Sequence, residues 1–199
     1  MEKQDLIRVN QLWKNIYPYL VKQVMEAYSR EEGEVLELGP FSGGISLNLA
    51  RNYPSLRITI ADERREMLAW FRNELESEGM ADKIKIARTD LNRLDFASET
   101  CDLVIIRGAF FFLSENPYLL SEIYRVLTPG GIAVVGGGYG KDTPQELMDE
   151  IADESRVLNQ RLGRKWLSIE TLKEMVSQAG LEENTRIWEE GGVWLVISR

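Results

Sequence analysis

The chain has no histidine and only one cysteine, Cys101, among its 199 residues. Without histidine and with a single thiol, it cannot assemble the His/Cys ligand sets that bind zinc. No disulfide can form within the chain, and Cys101 precedes an apolar run, so we expect it to pack as a small apolar side chain where a strand starts. We therefore expect no metal site in this protein.

Long apolar runs are also missing. No run approaches the roughly 20 apolar residues that a membrane-crossing helix needs, and the segment Met1–Asp5 lacks the apolar core of a signal peptide. We therefore expect a cytoplasmic protein without a membrane segment.

Clustered positive charge is scarce, since the formal net charge is −8 and the sequence pI is about 4.8. Nucleic-acid binding depends on clustered lysine and arginine that neutralise phosphates. Arg64 and Arg65 stand between two glutamates and predict a solvated surface. A second group, Arg161, Arg164 and Lys165, is interleaved with neutral residues, and its role stays open. We expect no nucleic-acid partner.

What the sequence does contain is an alternation of strand and helix patterns. Most of the strand candidates are apolar on successive residues, as expected when helices cover both faces of a sheet. This pattern predicts an α/β protein with a doubly wound, mostly parallel sheet. The strand candidates are Val35–Leu38, Leu56–Ala61, Ile84–Ala87, Leu103–Ile106 and Ile132–Gly136. The helical patterns lie near 43–52, 64–78 and 117–127.

The two ends of the chain follow other patterns. Residues near 3–28 predict a helix or a helix pair, with Pro18 as a kink or boundary. Helices are also expected at Thr143–Asn159 and around the apolar stripe from Leu172 to Ala179.

The last two strand candidates, Glu182–Trp188 and Val193–Ile197, are separated by the short turn Glu189–Gly192. A short turn that contains glycine suits an antiparallel hairpin. The complete sheet should therefore have seven strands and end in a hairpin.

The segment Val35–Gly44 is the most informative motif, because it reads as a strand, a glycine-broken turn and the start of a helix. Such a turn directs the backbone N–H groups of the helix at a ligand above the strand. Open α/β sheets bind nucleotide-like ligands at this edge. A glycine after a strand can also be only a turn.

Four segments together resemble the class I S-adenosylmethionine-dependent methyltransferases, over most of residues 30–199. They are VLELGPFSGG, ITIADERREML, IKIARTDLNRLDF, and CDLVIIRGAFFFL followed by IYRVLTPGG. The resemblance implies a Rossmann-like fold and a single domain over 1–199, with a helical cap at 1–30, a cofactor-binding core at 31–140, and helices and a hairpin at 141–199. It also implies transfer of a methyl group from S-adenosyl-L-methionine to a small molecule, with S-adenosyl-L-homocysteine as the product.

The resemblance assigns roles to the residues at the strand ends. The glycine loop would hold the methionine and ribose portions of the cofactor, and Asp62 would accept from the ribose hydroxyls. Asp90 and the N–H of Leu91 would bind adenine. Glu37 would receive the ammonium group, either directly or through the Gly39 backbone region. Helix N-caps are the alternative roles for Asp62 and Asp90. The expected cofactor-binding residues are Glu37, Gly39, Pro40, Phe41, Ser42, Gly43, Asp62, Glu63, Met67, Asp90, Leu91 and Arg107.

The sequence departs from the family pattern at two positions. Phe41 replaces the middle glycine of the loop, and we expect its side chain to fold away from the ligand. Arg107 ends the fourth strand, where many relatives carry a small polar residue; its partner could be the cofactor carboxylate, the substrate or solvent.

Three other classes of protein compete with this interpretation. A dinucleotide-binding oxidoreductase needs G-x-G-x-x-G, which Phe41 interrupts. A P-loop is excluded because Asp142, rather than serine or threonine, follows Gly140-Lys141. A protein that binds S-adenosylmethionine without transferring its methyl group stays open.

The acceptor and any general base are less defined. With no histidine available, the candidates for a base are Tyr17, Tyr139 and Asp142, or the acceptor needs none. We expect the N-terminal helix and the stretch Gly136–Trp166 to close the acceptor site, with Gly136–Gly140 as a hinge. The aromatic residues available for the pocket are Trp13, Tyr17, Tyr19, Phe110, Phe111, Phe112, Tyr139 and Trp166.

Overall fold

The computed structural model describes residues 1–116, 118–165 and 167–199. Pro117, in the third predicted helix, and Trp166, a predicted pocket residue, lie outside the described residues. The strands are β1 (Gly33–Leu38), β2 (Leu56–Asp62), β3 (Ile84–Arg88), β4 (Cys101–Arg107), β5 (Leu127–Gly137), β6 (Thr185–Trp188) and β7 (Val193–Ser198).

The seven strands form one sheet in the order β3-β2-β1-β4-β5-β7-β6. All pairs among β1 to β5 are parallel, whereas β7 runs antiparallel to both β5 and β6. The predicted fold, a mostly parallel doubly wound sheet with a C-terminal hairpin, is confirmed.

The helices connect and cover this sheet. They are α1 (Lys3–Leu12), α2 (Tyr17–Tyr28), α3 (Gly44–Asn52), α4 (Arg65–Ser77), α5 (Leu119–Val126), α6 (Gln145–Arg161) and α7 (Ile169–Gln178). The N-terminal segment is thus a helix pair. Pro18 lies in the first turn of α2, where its missing N–H leaves no helical hydrogen bond unmade, so it marks a boundary rather than a kink.

Two element boundaries differ from the prediction. The turn predicted at 128–131 lies within β5, whose pairing with β4 is irregular, because Cys101 faces Leu127 while Leu103 faces Ile132. The strand predicted from Glu182 begins at Thr185, since residues 182–184 form a 3-10 turn. In both places a local turn is joined to a strand, and apolar periodicity alone does not separate the two.

Two apolar layers sandwich the sheet. In β1, Val35 belongs to the layer that contains α1 to α4 and part of α6, and Leu36 belongs to the layer with α5 and α7. Cys101 is buried at the first position of β4, as expected. Because the helices occupy the faces, the ends of the strands are left to bind ligands.

Within the described ranges, no helix is both long and apolar enough to cross a membrane.

Candidate functional site

The candidate site lies where the order of the strands reverses, at the carboxyl ends of β1 and β4. The loop after β1 begins at Gly39, which has a φ of 94° and whose N–H donates to the carbonyl of Ala61 over 2.9 Å. Gly43, with a φ of 103°, leads into α3. Both glycines adopt a left-handed backbone that other residues rarely take, so the sequence folds into the tight turn that the motif predicts.

Glu37, at the penultimate position of β1, is fully buried. Its Oε2 accepts from the N–H of Gly43 over 2.9 Å, and from the N–H and Oγ of Ser46 over 3.1 and 2.5 Å. Burial raises the pKa of Glu37 despite these bonds. Its Oε1 has no hydrogen-bond partner among the described residues. One oxygen therefore holds the start of α3, and the other still lacks a donor.

Asp62 ends β2 and, like Glu37, has one carboxylate oxygen that accepts a hydrogen bond and one that does not. Its Oδ1 accepts from the N–H of Arg64 over 2.7 Å, and its Oδ2 is buried without a partner among the described residues. Burial raises the pKa of Asp62 to about 6. Helix α4 begins one residue after Arg64 without a side-chain cap, so Asp62 stabilises the preceding turn rather than capping the helix.

Asp90 follows β3 and is exposed, unlike the first two carboxylates. Its Oδ1 accepts from the N–H and Nδ2 of Asn92 over 2.8 and 3.0 Å, and these bonds lower the pKa of Asp90. The described residues 89–100 contain no helix, so the helix N-cap alternative is wrong here. The neighbouring Leu91 is buried, and its carbonyl accepts from Nδ2 of Asn116 over 2.6 Å.

The other predicted residues fall into different environments. Ser42 is buried, and its Oγ has no partner among the described residues. The Pro40 carbonyl accepts from Nδ2 of Asn10 over 3.0 Å. Glu63 is exposed and borders, with Asp90, an open cavity of about 450 Å³, whereas Met67 is fully buried in the core.

Arg107, at the end of β4, is 4% exposed and joins the loop to the N-terminal helices. Its Nη2 donates to Oδ1 of Asn10 over 2.6 Å, to Oη of Tyr17 over 2.9 Å and to the Phe41 carbonyl over 2.9 Å. The Phe41 ring packs on Phe111, with centroids 4.7 Å apart. No sequence signal identified Asn10, which contacts both the loop and Arg107.

A second cavity, of about 430 Å³, lies over the ends of β4, β5 and β7. Trp13 and Tyr139 stack in parallel at its edge, with ring centroids 4.9 Å apart, and Nε1 of Trp13 donates to Oγ of Ser155 over 3.4 Å. Phe110 and Phe111 also line this cavity, as predicted. Three other predicted pocket residues, Tyr17, Tyr19 and Phe112, are not among the described residues that line this cavity.

Two of the three candidate bases are unsuited to that role. Burial raises the pKa of Tyr17 to about 12, and its Oη donates to Oδ1 of Asn10 over 3.0 Å. Asp142 forms an ion pair with Lys22 over 2.6 Å, which lowers its pKa, and it does not line the cavity. Tyr139 alone of the three borders the cavity.

The glycines at 136–140 have a packing role that the sequence analysis missed. A Cβ on Gly138 would lie 2.1 Å from the carbonyl oxygen of Gly191, and a Cβ on Gly191 would lie 2.0 Å from the backbone N of Lys141. This run therefore packs backbone to backbone against the hairpin turn. Whether it also acts as a hinge stays a prediction.

Comparison with known proteins gives a consistent result. Residues 35–131 match the family model described as a methyltransferase domain. A ubiquinone/menaquinone biosynthesis C-methyltransferase from Desulfotalea psychrophila is 31% identical over 51% of this chain and 40% of its own length. A phosphatidylethanolamine N-methyltransferase from Cereibacter sphaeroides is 29% identical over 71% of this chain and 72% of its own length.

Among solved structures, one from Methanococcus maripaludis is provisionally assigned as an S-adenosyl-L-methionine-dependent methyltransferase. It superposes with a TM-score of 0.85 at 25% identity, over 100% of this chain and 93% of its own. The chain spans 40–50% of the length of the quinone-pathway relatives that it matches.

Proposed function

We propose that this chain, whose core at residues 35–131 belongs to the class I S-adenosylmethionine-dependent methyltransferases, transfers a methyl group from S-adenosyl-L-methionine to a small molecule. The observation that carries the proposal is the pair of buried carboxylate oxygens, Oε1 of Glu37 and Oδ2 of Asp62, beside the loop that begins at Gly39.

The residues present fit this cofactor. A buried carboxylate oxygen without a donor is costly, so each of these two atoms favours a ligand that brings one. The cofactor has such donors, because its ribose carries two hydroxyls and its methionine part carries an ammonium group. We assign Asp62 to the ribose hydroxyls, Glu37 to the ammonium group, and Asp90 with Leu91 to the adenine.

The remaining predicted contacts belong to the same proposal. The backbone of Gly39, Pro40, Phe41, Ser42 and Gly43 would surround the methionine part. Ser42 supports this placement, because its Oγ is buried without a partner among the described residues. For Glu63, Met67 and Arg107, a cofactor contact stays a prediction.

The bound cofactor supplies a methyl group that its sulfonium already activates, so the protein has little covalent chemistry to perform. Its contribution is to hold the acceptor in line and keep water out, which is worth up to about 7–11 kcal/mol. Trp13 and Tyr139 line the cavity, and their stacked rings present apolar surface to it. An acceptor that has to lose a proton could deliver it to Oη of Tyr139, which borders the same cavity, only if Tyr139 has first given up its own proton to solvent.

The acceptor is proposed only as a small molecule. The two relatives named above are a C-methyltransferase and an N-methyltransferase, so their names do not agree on the atom that is methylated. The cavity of about 430 Å³ has the dimensions of a small-ligand site.

A binding panel tests the proposal. Calorimetry with S-adenosylmethionine, S-adenosylhomocysteine, NAD and ATP should show micromolar binding of the first two only. Asp62→Asn keeps the oxygen that accepts from Arg64 and removes the carboxylate charge, so it should weaken S-adenosylhomocysteine binding by about 1.5–3 kcal/mol. The matched control is Asp82→Asn at an exposed turn. Stabilisation by NAD or ATP alone would contradict the proposal.

A further inference from the structure

The cavity over β4, β5 and β7 has an unusual charge for this chain. Its described lining residues include no aspartate and no glutamate, although the whole chain carries a net charge of −8. They include three cations, Arg107, Arg164 and Lys165. An acidic protein that surrounds one cavity with positive charge alone concentrates a field that favours an anion there.

Arg107 is the most enclosed of these cations. Its hydrogen-bond acceptors are the Phe41 carbonyl, the side-chain oxygen of Asn10 and the hydroxyl of Tyr17, all of them neutral. No carboxylate among the described residues lies within 4.0 Å of it. A buried guanidinium with neutral partners keeps a full charge that a bound anion can offset.

One nitrogen of Arg107 is available for that anion. Nε and Nη2 are used by the loop and the N-terminal helices, whereas Nη1 donates to none of the described residues. Nη1 is also absent from the described side-chain atoms that are buried without a partner. Arg107 itself borders the cavity.

The other two cations differ from each other. The guanidinium of Arg164 lies 5.9 Å from the centroid of the Phe110 ring and forms no ion pair with any described residue. Lys165 is paired with Glu115 over 2.6 Å at the surface, so its charge is largely offset. Arg107 and Arg164 are therefore the two cations of the cavity that form no ion pair with a described residue.

Apart from Ser155 and Asn159, the other side chains of the wall are apolar or aromatic. Trp13, Phe41, Phe110, Phe111 and Tyr139 surround the cavity. An apolar body packs well against such rings, and a carboxylate can take two parallel hydrogen bonds from a guanidinium.

We infer that the methyl acceptor carries a carboxylate beside an aromatic or apolar body, and that Arg107 and Arg164 bind this carboxylate. The inference rests on the proposed function. It narrows the proposed acceptor from any small molecule to one that carries a negative charge.

The carboxylate of the cofactor is the other possible partner of Arg107. Asp62, Glu37 and the loop after Gly39 place the proposed cofactor over β1 and β2, whereas the residues around Arg164 lie over β5 and β7. A ligand that contacts both arginines thus occupies the acceptor side. Arg164 therefore distinguishes the two possible anions. If Arg107 binds only the cofactor carboxylate, a substitution at Arg164 should not affect anion binding.

The test uses three probes of one size: 4-hydroxybenzoate, 4-hydroxybenzamide and 4-hydroxybenzylamine. Their dissociation constants are measured by NMR titration with the full chain, with and without saturating S-adenosylhomocysteine. The benzoate should bind at least tenfold more tightly than the amide and the amine. Arg164→Gln, at an exposed side chain, should reduce this preference at least threefold, and Arg107→Gln should abolish it.

Controls keep the outcomes distinct. Arg161→Gln removes an arginine that pairs with Asp5 outside the cavity, so the preference should not change. Equal binding of all three probes overturns the inference, and so does a preference that survives Arg164→Gln. If Arg107→Gln weakens S-adenosylhomocysteine tenfold and leaves the preference intact, Arg107 serves the cofactor and the inference fails.

The titration without S-adenosylhomocysteine separates this inference from the proposed function. If the chain binds no S-adenosylhomocysteine, the proposed function fails, while the preference for the benzoate is still read directly. Should Arg107→Gln not fold, Arg164→Gln and the charge-reversing Arg164→Glu still decide the result. The charge reversal should favour the amine over the benzoate.

Discussion

The two halves of the sheet's carboxyl edge differ in charge. Over β1 to β3 stand Glu37, Asp62 and Asp90, and two of these carboxylates have a buried oxygen without a partner among the described residues. Over β4, β5 and β7 the described lining of the cavity has cations and aromatic rings but no carboxylate. One half is thus suited to a ligand that donates hydrogen bonds and the other to an apolar anion.

The difference has a structural origin. The acidic half is built from single residues at strand ends, each held by backbone N–H groups of the next turn or helix. The cationic half is assembled from segments distant in the chain: Trp13 directly after α1, the end of β4, the glycine run, α6 with the residues that follow it, and the hairpin turn. We therefore expect substitutions in the first half to affect ligand binding, and substitutions in the second to affect stability as well.

The largest effect is expected where the glycine run meets the hairpin turn. Gly191→Ala should lower the free energy of unfolding by about 2–5 kcal/mol. A left-handed alanine costs about 1–2 kcal/mol, and overpacking costs about 1–3 kcal/mol. The overpacking arises because the new Cβ would lie 2.0 Å from the backbone N of Lys141. Urea unfolding monitored by tryptophan fluorescence measures the loss.

Gly180→Ala is the matched control. Its φ of 68° is close to the 65° of Gly191, but a Cβ there would meet nothing within 4 Å. It should cost only about 1–2 kcal/mol, the backbone contribution alone. Equal losses for the two variants would show that the close packing at Gly191 contributes nothing.

These two halves were not equally predictable from the sequence. Glu37, Asp62 and the glycine loop are local, because each follows a strand whose apolar run is readable and the carboxyl ends of parallel strands meet at one edge. Their contacts with a cofactor rest on the family resemblance and stay a prediction. The sequence also predicted the order of strands and helices, apart from the turn inside β5 and the 3-10 turn at 182–184.

The cationic half could not be predicted in the same way. Asn10, Arg107 and Phe41 are brought together by the docking of α1 on the loop, a contact across 97 positions of the chain for Asn10 and Arg107. Sequence spacing does not encode such contacts. From the sequence alone, the glycines at 136–140 indicate a hinge. Their backbone contacts with Gly191 and Gly192 form only when the hairpin folds, so the sequence does not reveal them.

A second prediction concerns pH and the acidic half. Burial raises the pKa of Asp62 to about 6, above its ordinary value of 3.8. The folded protein therefore holds this proton more tightly than the unfolded chain. The resulting stability is present below pH 4 and is lost as the pH rises through 6, by about 3 kcal/mol at about 1.4 kcal/mol per pKa unit.

Urea unfolding at pH 4, 5, 6 and 7 measures this dependence. Glu37 changes stability in the same direction, because burial raises its pKa too. The difference between the unchanged chain and Asp62→Asn therefore isolates Asp62, since the amide does not titrate and can still accept from Arg64. Parallel pH profiles for the two proteins would refute a raised pKa at Asp62.

The smallest effect is expected at the aromatic stack that joins α1 to the glycine run. Stacked aromatic pairs contribute about 0.5–1.5 kcal/mol beyond the area that they bury. A double-mutant cycle with Trp13→Leu and Tyr139→Leu should give a coupling energy in that range. Trp70→Leu combined with Tyr139→Leu is the control, because Trp70 packs against Phe71 instead, and this pair should show no coupling.

The same stack should slow the local opening of the two segments that border the cavity. We predict that residues 5–25 and 137–165 exchange amide hydrogens quickly in the free protein and slowly once S-adenosylhomocysteine is bound, while the strands stay protected throughout. The reason is that the stack and the bonds of Arg107 to Asn10 and Tyr17 join these segments to the site, so a ligand bound there should slow their local opening. Trp13→Leu should raise exchange in both segments without ligand. Equal protection with and without ligand would mean that they are fixed structure, and the route by which an acceptor enters would then have to lie elsewhere on the cationic half.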